Sequence, residues 1–294
     1  MVIFVEETVR VRVPATSANL GPGFDALGLA LTHHDTLSAR VTAGGYVVQV
    51  GGEGAGELPG DEQHLVARAM LATFDALGAR PPGLHVECVN RIPQARGMGS
   101  SSAAIVGGVQ LARALVRDCP LDDAGALRIA AELEGHPDNV APCLLGGFTI
   151  AWTEPSGARA VRLDVAAGVE PTVFVPAERG LTSVARAALP VTVPHGDAAA
   201  NAGRAALLVH ALTADPALLL PATEDRLHQP YRAAGMPATA ALVEVLRRAG
   251  IAAVVSGAGP TVLALSPVPA DFDPGTGWRR LTLGIDSTGA CVEG

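Results

Sequence analysis

Five segments of this sequence carry residue types that could do chemistry together. The central one is Gly97-Met98-Gly99-Ser100-Ser101-Ser102-Ala103. Glycines let a backbone come close to a ligand, and a following helix would aim its unpaired N–H groups and positive dipole end at an anion. The three serines add hydroxyl donors or a metal ligand. A flexible turn with a serine cap is the bland alternative. An earlier segment, Pro14 to Asp25, holds Thr16, Ser17, Asn19 and Asp25 among Gly and Pro. It could bind a polar ligand or be only an Asx turn. Ser256-Gly257-Ala258-Gly259-Pro260-Thr261 is a second glycine turn, or a plain tight hairpin. Glu134-Gly135-His136-Pro137-Asp138-Asn139 places a carboxylate beside His, Asp and Asn. That set could supply a magnesium ligand and orient a hydroxyl. It could also be a capped helix end, with Gly135 as the C-cap and Pro137 as the stop. Arg186 and Arg232 are the fifth feature, a possible clamp for a carboxylate or phosphate.

Local patterning says which elements must hold these groups. Val9, Val11 and Val13 alternate with arginines and predict a strand that runs into a loop from Pro14. Strands broken at Gly44-Gly45 are expected over 36–50, with a surface loop over 51–60. Helical spacing over 63–77 stops at Gly78. A strand over 84–91 precedes the Gly/Ser turn, and an apolar helix follows to about Arg117. Asp122 caps a helix ending at Gly135, and 147–152 is a strand. In the second half, strands are expected at 159–164, 171–176, 251–255 and 261–265, and helices at 182–188, 198–213 and 237–249. Strands and helices mix without a regular βαβ period, so the fold class is α+β. The softest boundary falls near 152–158, dividing the chain into 1–152 and 153–294.

Composition narrows the function. The 294 residues are 49% apolar and 17% charged, enough for a packed core and against a disordered chain. A net charge of -8 argues against nonspecific nucleic-acid binding. All 21 basic residues counted as Lys+Arg are arginines. A Walker A loop and Schiff-base chemistry both need a lysine and are excluded. Any phosphate bound here must be held by backbone, hydroxyls and metal. The four cysteines have neither C-x-x-C nor zinc spacing, so reduced thiols are expected. No signal peptide and no membrane span are expected, which points to a cytoplasmic protein.

The motifs together resemble the GHMP small-molecule kinases, over roughly residues 9–265. Pro14 to Gly28 resembles the N-terminal motif of the members that phosphorylate L-homoserine. Ile92-Pro93-Gln94-Ala95-Arg96-Gly97-Met98-Gly99-Ser100-Ser101-Ser102-Ala103 resembles the family's phosphate loop, with Met98 in place of the usual Leu. Val255 to Thr261 resembles the third motif. Glu134 to Pro142 and Gly146 to Phe148 fit the homoserine-specific members.

The resemblance implies an N-terminal domain like that of ribosomal protein S5 and a ferredoxin-like C-terminal domain. It implies transfer of the γ-phosphoryl group of ATP to the L-homoserine hydroxyl, giving a threonine precursor. Pro93, Arg96 and Gly97 to Ala103 would bind the nucleotide. Glu134 would hold Mg2+, with Ser101 a second ligand and Glu132 a rival. Glu134, Asp138 and Asn139 would be catalytic. Asn19, Asp25, His136, Asn139, Thr182, Arg186, Arg232, Gly257 and Gly259 would bind the amino acid. A homodimer is a family expectation. The alternatives are a mevalonate or sugar kinase of the same family, or a nonenzymatic nucleotide-binding member.

Overall fold

A computed structural model describes residues 2–293. Its first sheet is built around one long strand. β1 (Val9–Ala18) pairs antiparallel with β2 (Leu27–Val41) along its whole length, with a register shift at Pro14/Ala15. The far edge of β2 has two partners in turn. Residues 36–41 pair with β4 (Gly83–Asn90), which takes β3 (Gly45–Gly52) in parallel. Residues 27–29 pair instead with β5 (Phe148–Glu154), which forms a hairpin with β6 (Gly157–Leu163).

Helices cover this sheet. α1 (Leu65–Ala76), α2 (Ser100–Leu115), α3 (Asp123–Glu134) and α4 (Pro137–Leu145) pack on one another, and α2 and α4 lie against β1 and β2. Their buried faces are aliphatic, with Met70, Phe74, Ile105 and Val109 inside one continuous core. Burying such side chains contributes about 1.5–3 kcal/mol each.

The second sheet is four-stranded and antiparallel. Its order is β10 (Trp278–Thr282), β7 (Thr172–Pro176), β9 (Val262–Ala264), β8 (Ala253–Val255). The connections hold α5 (Thr182–Ala187), α6 (His195–Thr213), α7 (Leu219–Ala222), α8 (Gln229–Arg232) and α9 (Pro237–Arg248). Among the described residues no helix is long and apolar enough to cross a membrane, and the four cysteines are free thiols.

Three expectations change. The first strand continues to Ala18, because Val13 and Pro14 to Ala18 are all buried and pair with β2. Burial on both faces removes the alternation that marks a strand. Pro137 does not stop a helix; it is the first residue of α4, where its missing N–H costs nothing. The division at 152/153 cuts through β5, and the first sheet runs on to Leu163.

The chain also returns to that sheet at its end. β11 (Cys291–Glu293) pairs with β1. Asp286, nearly buried, anchors this return. His34 Nε2 lies 2.6 Å from its carboxylate, and the backbone N–H groups of Thr288 and Gly289 donate to it at 2.9 and 2.7 Å. Burial pushes the Asp286 pKa up, but these hydrogen bonds outweigh it and the net shift is downward.

Asp286→Ala should therefore destabilise the protein by about 1–3 kcal/mol at neutral pH, as expected for stranded buried partners. A lowered carboxylate pKa stabilises the fold above its unfolded value of about 3.9, and that gain is lost as pH falls through the folded value. Denaturant melts at pH 7 and pH 3 check this. An equal loss at both would contradict the ionic anchor.

Candidate active site

The glycine turn after β4 is shaped by contacts that no side chain would allow. Gly97 and Gly99 both have positive φ, +76° and +71°. A Cβ on Gly97 would stand 2.3 Å from Ser256 O, and one on Gly99 would stand 1.9 Å from Thr16 Oγ1. The backbone of this turn is thus pressed against both the end of β1 and the turn between β8 and β9. Ser256 Oγ lies 2.5 Å from Gly97 O and 2.8 Å from Ser17 Oγ. With one proton, it donates to the carbonyl and accepts from Ser17. Gly99 caps α2 without a side-chain acceptor. The first N–H groups of a 16-residue helix therefore open on the cleft, ready for an anion.

A second helix start faces the same space. Gly135 ends α3 in the left-handed conformation, and α4 begins two residues later with Asp138 in its first turn. This corner delivers four polar side chains. Glu134 accepts hydrogen bonds from Ser101 Oγ at 2.7 Å and Ser102 Oγ at 3.0 Å. Asn139 Oδ1 accepts from Thr16 Oγ1 at 2.8 Å, which leaves its NH2 group for a ligand. His136 Nδ1 lies 2.5 Å from Asp138 Oδ1. That hydrogen bond raises the His136 pKa despite partial burial. Glu132, the rival metal ligand, is exposed and lies outside the cleft.

The opposite wall is cationic. Arg186, at the end of α5, makes a bidentate pair with Asp25 at 3.0 and 2.8 Å. Arg232 is 2% exposed. Its Nε donates to Ala185 O at 3.1 Å and its Nη1 reaches Gly257 O at 3.4 Å. Burial and the neighbouring Arg186 lower the Arg232 pKa from its usual high value. Neither guanidinium loses its charge, because the reference value is so far above neutrality.

Almost every residue expected at the site lines this one cleft, including Pro93, Met98, Ser100, Thr182 and Gly259. Ser102 and Ala103 sit behind the rim, fully buried, with Ser102 reaching only Glu134. Two residues have a different task from the one expected. Arg96 spends its guanidinium on the carbonyls of Gln94, Pro176 and Ala177, at 2.8 to 3.0 Å. It straps the loop to the end of β7 instead of offering itself to phosphate. Asn19 is left-handed, φ 67°; its Oδ1 accepts from Asp25 N–H at 2.9 Å and its Nδ2 donates to Gly257 O at 2.8 Å. Its amide positions the cleft more than it faces a ligand.

Sequence reasoning missed Ala95 and Gly180 in the lining. It also missed a second cavity sharing Ala95, Ser100 and Ser101 with the first, and walled by Leu58, Pro59, His64 and Asn90. His64 caps α1 through Nδ1, which accepts from Val66 N–H at 3.2 Å. Burial lowers its pKa. No motif marks these residues; only the loop over 51–60 hinted at a surface there.

Comparisons with known proteins place the chain in a family. A model of the GHMP kinases N terminal domain matches residues 64–147, and one of the GHMP kinases C terminal matches 199–273. The homoserine kinase of Streptomyces avermitilis is 57% identical over 98% of this chain and 97% of its own length. That of Clavibacter michiganensis subsp. michiganensis is 51% identical over 97% and 94%. The crystal structure of the homoserine kinase from Cytophaga hutchinsonii aligns at a TM-score of 0.86 with 26% identity, covering 99% of this chain and 100% of that one.

The His136–Asp138 pair gives a direct test. An NMR titration should place the His136 midpoint above the ordinary value of about 6.5, and Asp138→Asn should bring it down. The stability this pair contributes is full below the unfolded pKa and is lost as pH rises through the folded one. A midpoint unmoved by Asp138→Asn would break the link.

Proposed function

The chain belongs to the GHMP kinases, and on that premise we propose how its cleft works: it phosphorylates the side-chain hydroxyl of L-homoserine, using ATP. The observation that carries the reading is the meeting of an uncapped helix start with two arginines across one small cleft. One suits a transferring phosphate; the other suits an amino-acid carboxylate.

The triphosphate lies over Gly97 to Ser102, bound by backbone N–H groups and serine hydroxyls in a chain that has no lysine. The adenine base occupies the cavity between Leu58, Pro59, His64 and Asn90, adjoining the phosphate site. Among the described residues no three His, Cys, Asp or Glu side chains cluster as a metal cage. Glu134 with Ser101 nevertheless fits Mg2+, which commonly uses one or two carboxylates plus phosphate oxygens. When bound, it would neutralise charge on the β- and γ-phosphates.

The substrate carboxylate takes the free Nη2 group of Arg232, with Arg186 behind it. Asp138 and Asn139 orient the hydroxyl toward the γ-phosphorus. His136 fixes one oxygen of Asp138 and leaves the other for the hydroxyl. Phosphoryl transfer through a loose transition state depends mainly on alignment and charge stabilisation, so Asp138 need only hold the proton as the new P–O bond forms. ADP leaves, and the hydroxyl proton is released.

ADP release by the purified protein with ATP and Mg2+, across L-homoserine, mevalonate, galactose and shikimate, tests the reading. Turnover with homoserine alone is expected; turnover with another alcohol instead would overturn the substrate. Glu134→Gln should lower kcat at least tenfold and shift the Mg2+ dependence to higher concentration, with a smaller change in homoserine KM. An unchanged Mg2+ dependence would remove Glu134 from the metal site.

A further inference from the structure

We propose that His228 is a positioning residue for substrate recognition: it holds Arg232 so that the Nη2 amino group faces the substrate carboxylate. The proposal rests on the reading of the cleft given above and names a group outside it.

His228 is fully buried and sits one helical turn before Arg232, at the start of α8. Its two ring nitrogens face different chemistry. Nε2 is 2.8 Å from Gly21 O and 3.4 Å from Asp225 Oδ2. Both neighbours are acceptors, so the proton belongs on Nε2. Nδ1 then carries a bare lone pair, and Arg232 Nη1 stands 3.2 Å from it and donates to it. A proton on Nδ1 would set N–H against N–H. Burial lowers the His228 pKa, which keeps the ring neutral and the lone pair available.

Arg232 is thereby held at two of its three nitrogens. Nε bonds Ala185 O and Nη1 bonds His228. Nη2 remains for the cleft, which Arg232 lines. The planar guanidinium cannot turn in its plane without giving up both bonds. Phe24 completes the support. Its ring stacks on the imidazole at 5.1 Å and 27°, and the Arg232 and Arg186 guanidinium carbons lie 5.4 and 5.8 Å from its centroid. The same imidazole grips the carbonyl of Gly21, four residues before Asp25, the partner of Arg186. One neutral histidine thus sets Arg232 directly and steadies the loop that pairs with Arg186.

Two substitutions separate the ring's two bonds. Asn places an amide oxygen near the Nδ1 position and keeps an acceptor for Arg232. Gln places an NH2 near the Nε2 position and keeps only the bond to Gly21. His228→Gln should raise homoserine KM at least tenfold while leaving ATP KM within twofold. His228→Asn should stay within about threefold of the parent for homoserine. Turnover of 3-amino-1-propanol, which lacks the carboxylate, should be weak and unaffected by His228→Gln. A purely structural histidine would instead raise both KM values together, or affect the two alcohols alike, and either result overturns the proposal. So does an unchanged homoserine KM in His228→Gln. Should the variants fail to fold, nitrogen-15 shifts of the parent imidazole at neutral pH decide it: protonation at Nδ1 would rule the role out, and an Nε2–H tautomer is required. If the parent protein does not phosphorylate homoserine at all, the function reading fails, a result distinct from any of these.

Discussion

The close approach of the Gly97–Gly99 backbone to two other segments is the constraint from which the site follows. Gly97 lies against the Ser256 carbonyl and Gly99 against the Thr16 hydroxyl, both nearer than a Cβ would permit. The first contact fixes the N-terminus of α2 relative to the second sheet. The second fixes it relative to β1, whose Thr16 in turn holds Asn139 at the start of α4. The start of α2, the start of α4 and the turn at Gly257 therefore share one frame. A side chain at either glycine would push these groups apart before it touched any ligand. Misplacement by even 1 Å is enough to lose much of the benefit of alignment in a transfer reaction.

The bonds that carry this frame across the molecule have a common form. Arg96 donates to the carbonyls of Pro176 and Ala177, Asn19 to Gly257, His228 to Gly21 and Asn201 to Pro22. Each is a side-chain N–H from one half meeting a backbone carbonyl of the other. Loop carbonyls near a cleft have no ladder partner, and leaving them buried and unpaired would cost about 1–3 kcal/mol each. The straps satisfy them and define the angle between the sheets at the same time. Three non-glycine residues on the rim, Asn19, Asp25 and Ala95, hold positive φ. That conformation is tolerated because the straps leave the backbone no easier path.

Much of this was legible in the sequence, and the parts that were not share a cause. The Asp122 cap, the Gly135 stop and the helix between them follow from local chemistry, and α3 has those bounds. The glycine turns announce themselves because only glycine fits there. Pro137 was misread because proline both ends one helix and begins another; what decides is the neighbouring turn, set by packing. The tail was unreadable because β10 and β11 are short and owe their strand conformation to partners far away in sequence. At the site, motif positions gathered as expected, but Arg96 and Asn19 became struts. A residue type tells what a group can bond, and only the fold tells whether a carbonyl reaches it before a ligand does.

Charge balance explains how so polar a cleft stays folded without its ligands. Glu134 is held by two serine hydroxyls, Asp138 by His136 and Asp25 by Arg186. Each carboxylate has a donor, so none is stranded at a cost in desolvation. Arg232 is different: its partners are neutral carbonyls and an imidazole, and its charge is offset only at a distance, by Asp25, Asp225 and Asp138. Arg232 is thus a buried cation with no ion pair of its own. Arg186 is already paired with Asp25. The two arginines therefore differ in kind. Arg232 is the cation open to a new partner, while Arg186 is tied to the loop carrying Asp25, and through Asn19 to the glycine turn at Gly257.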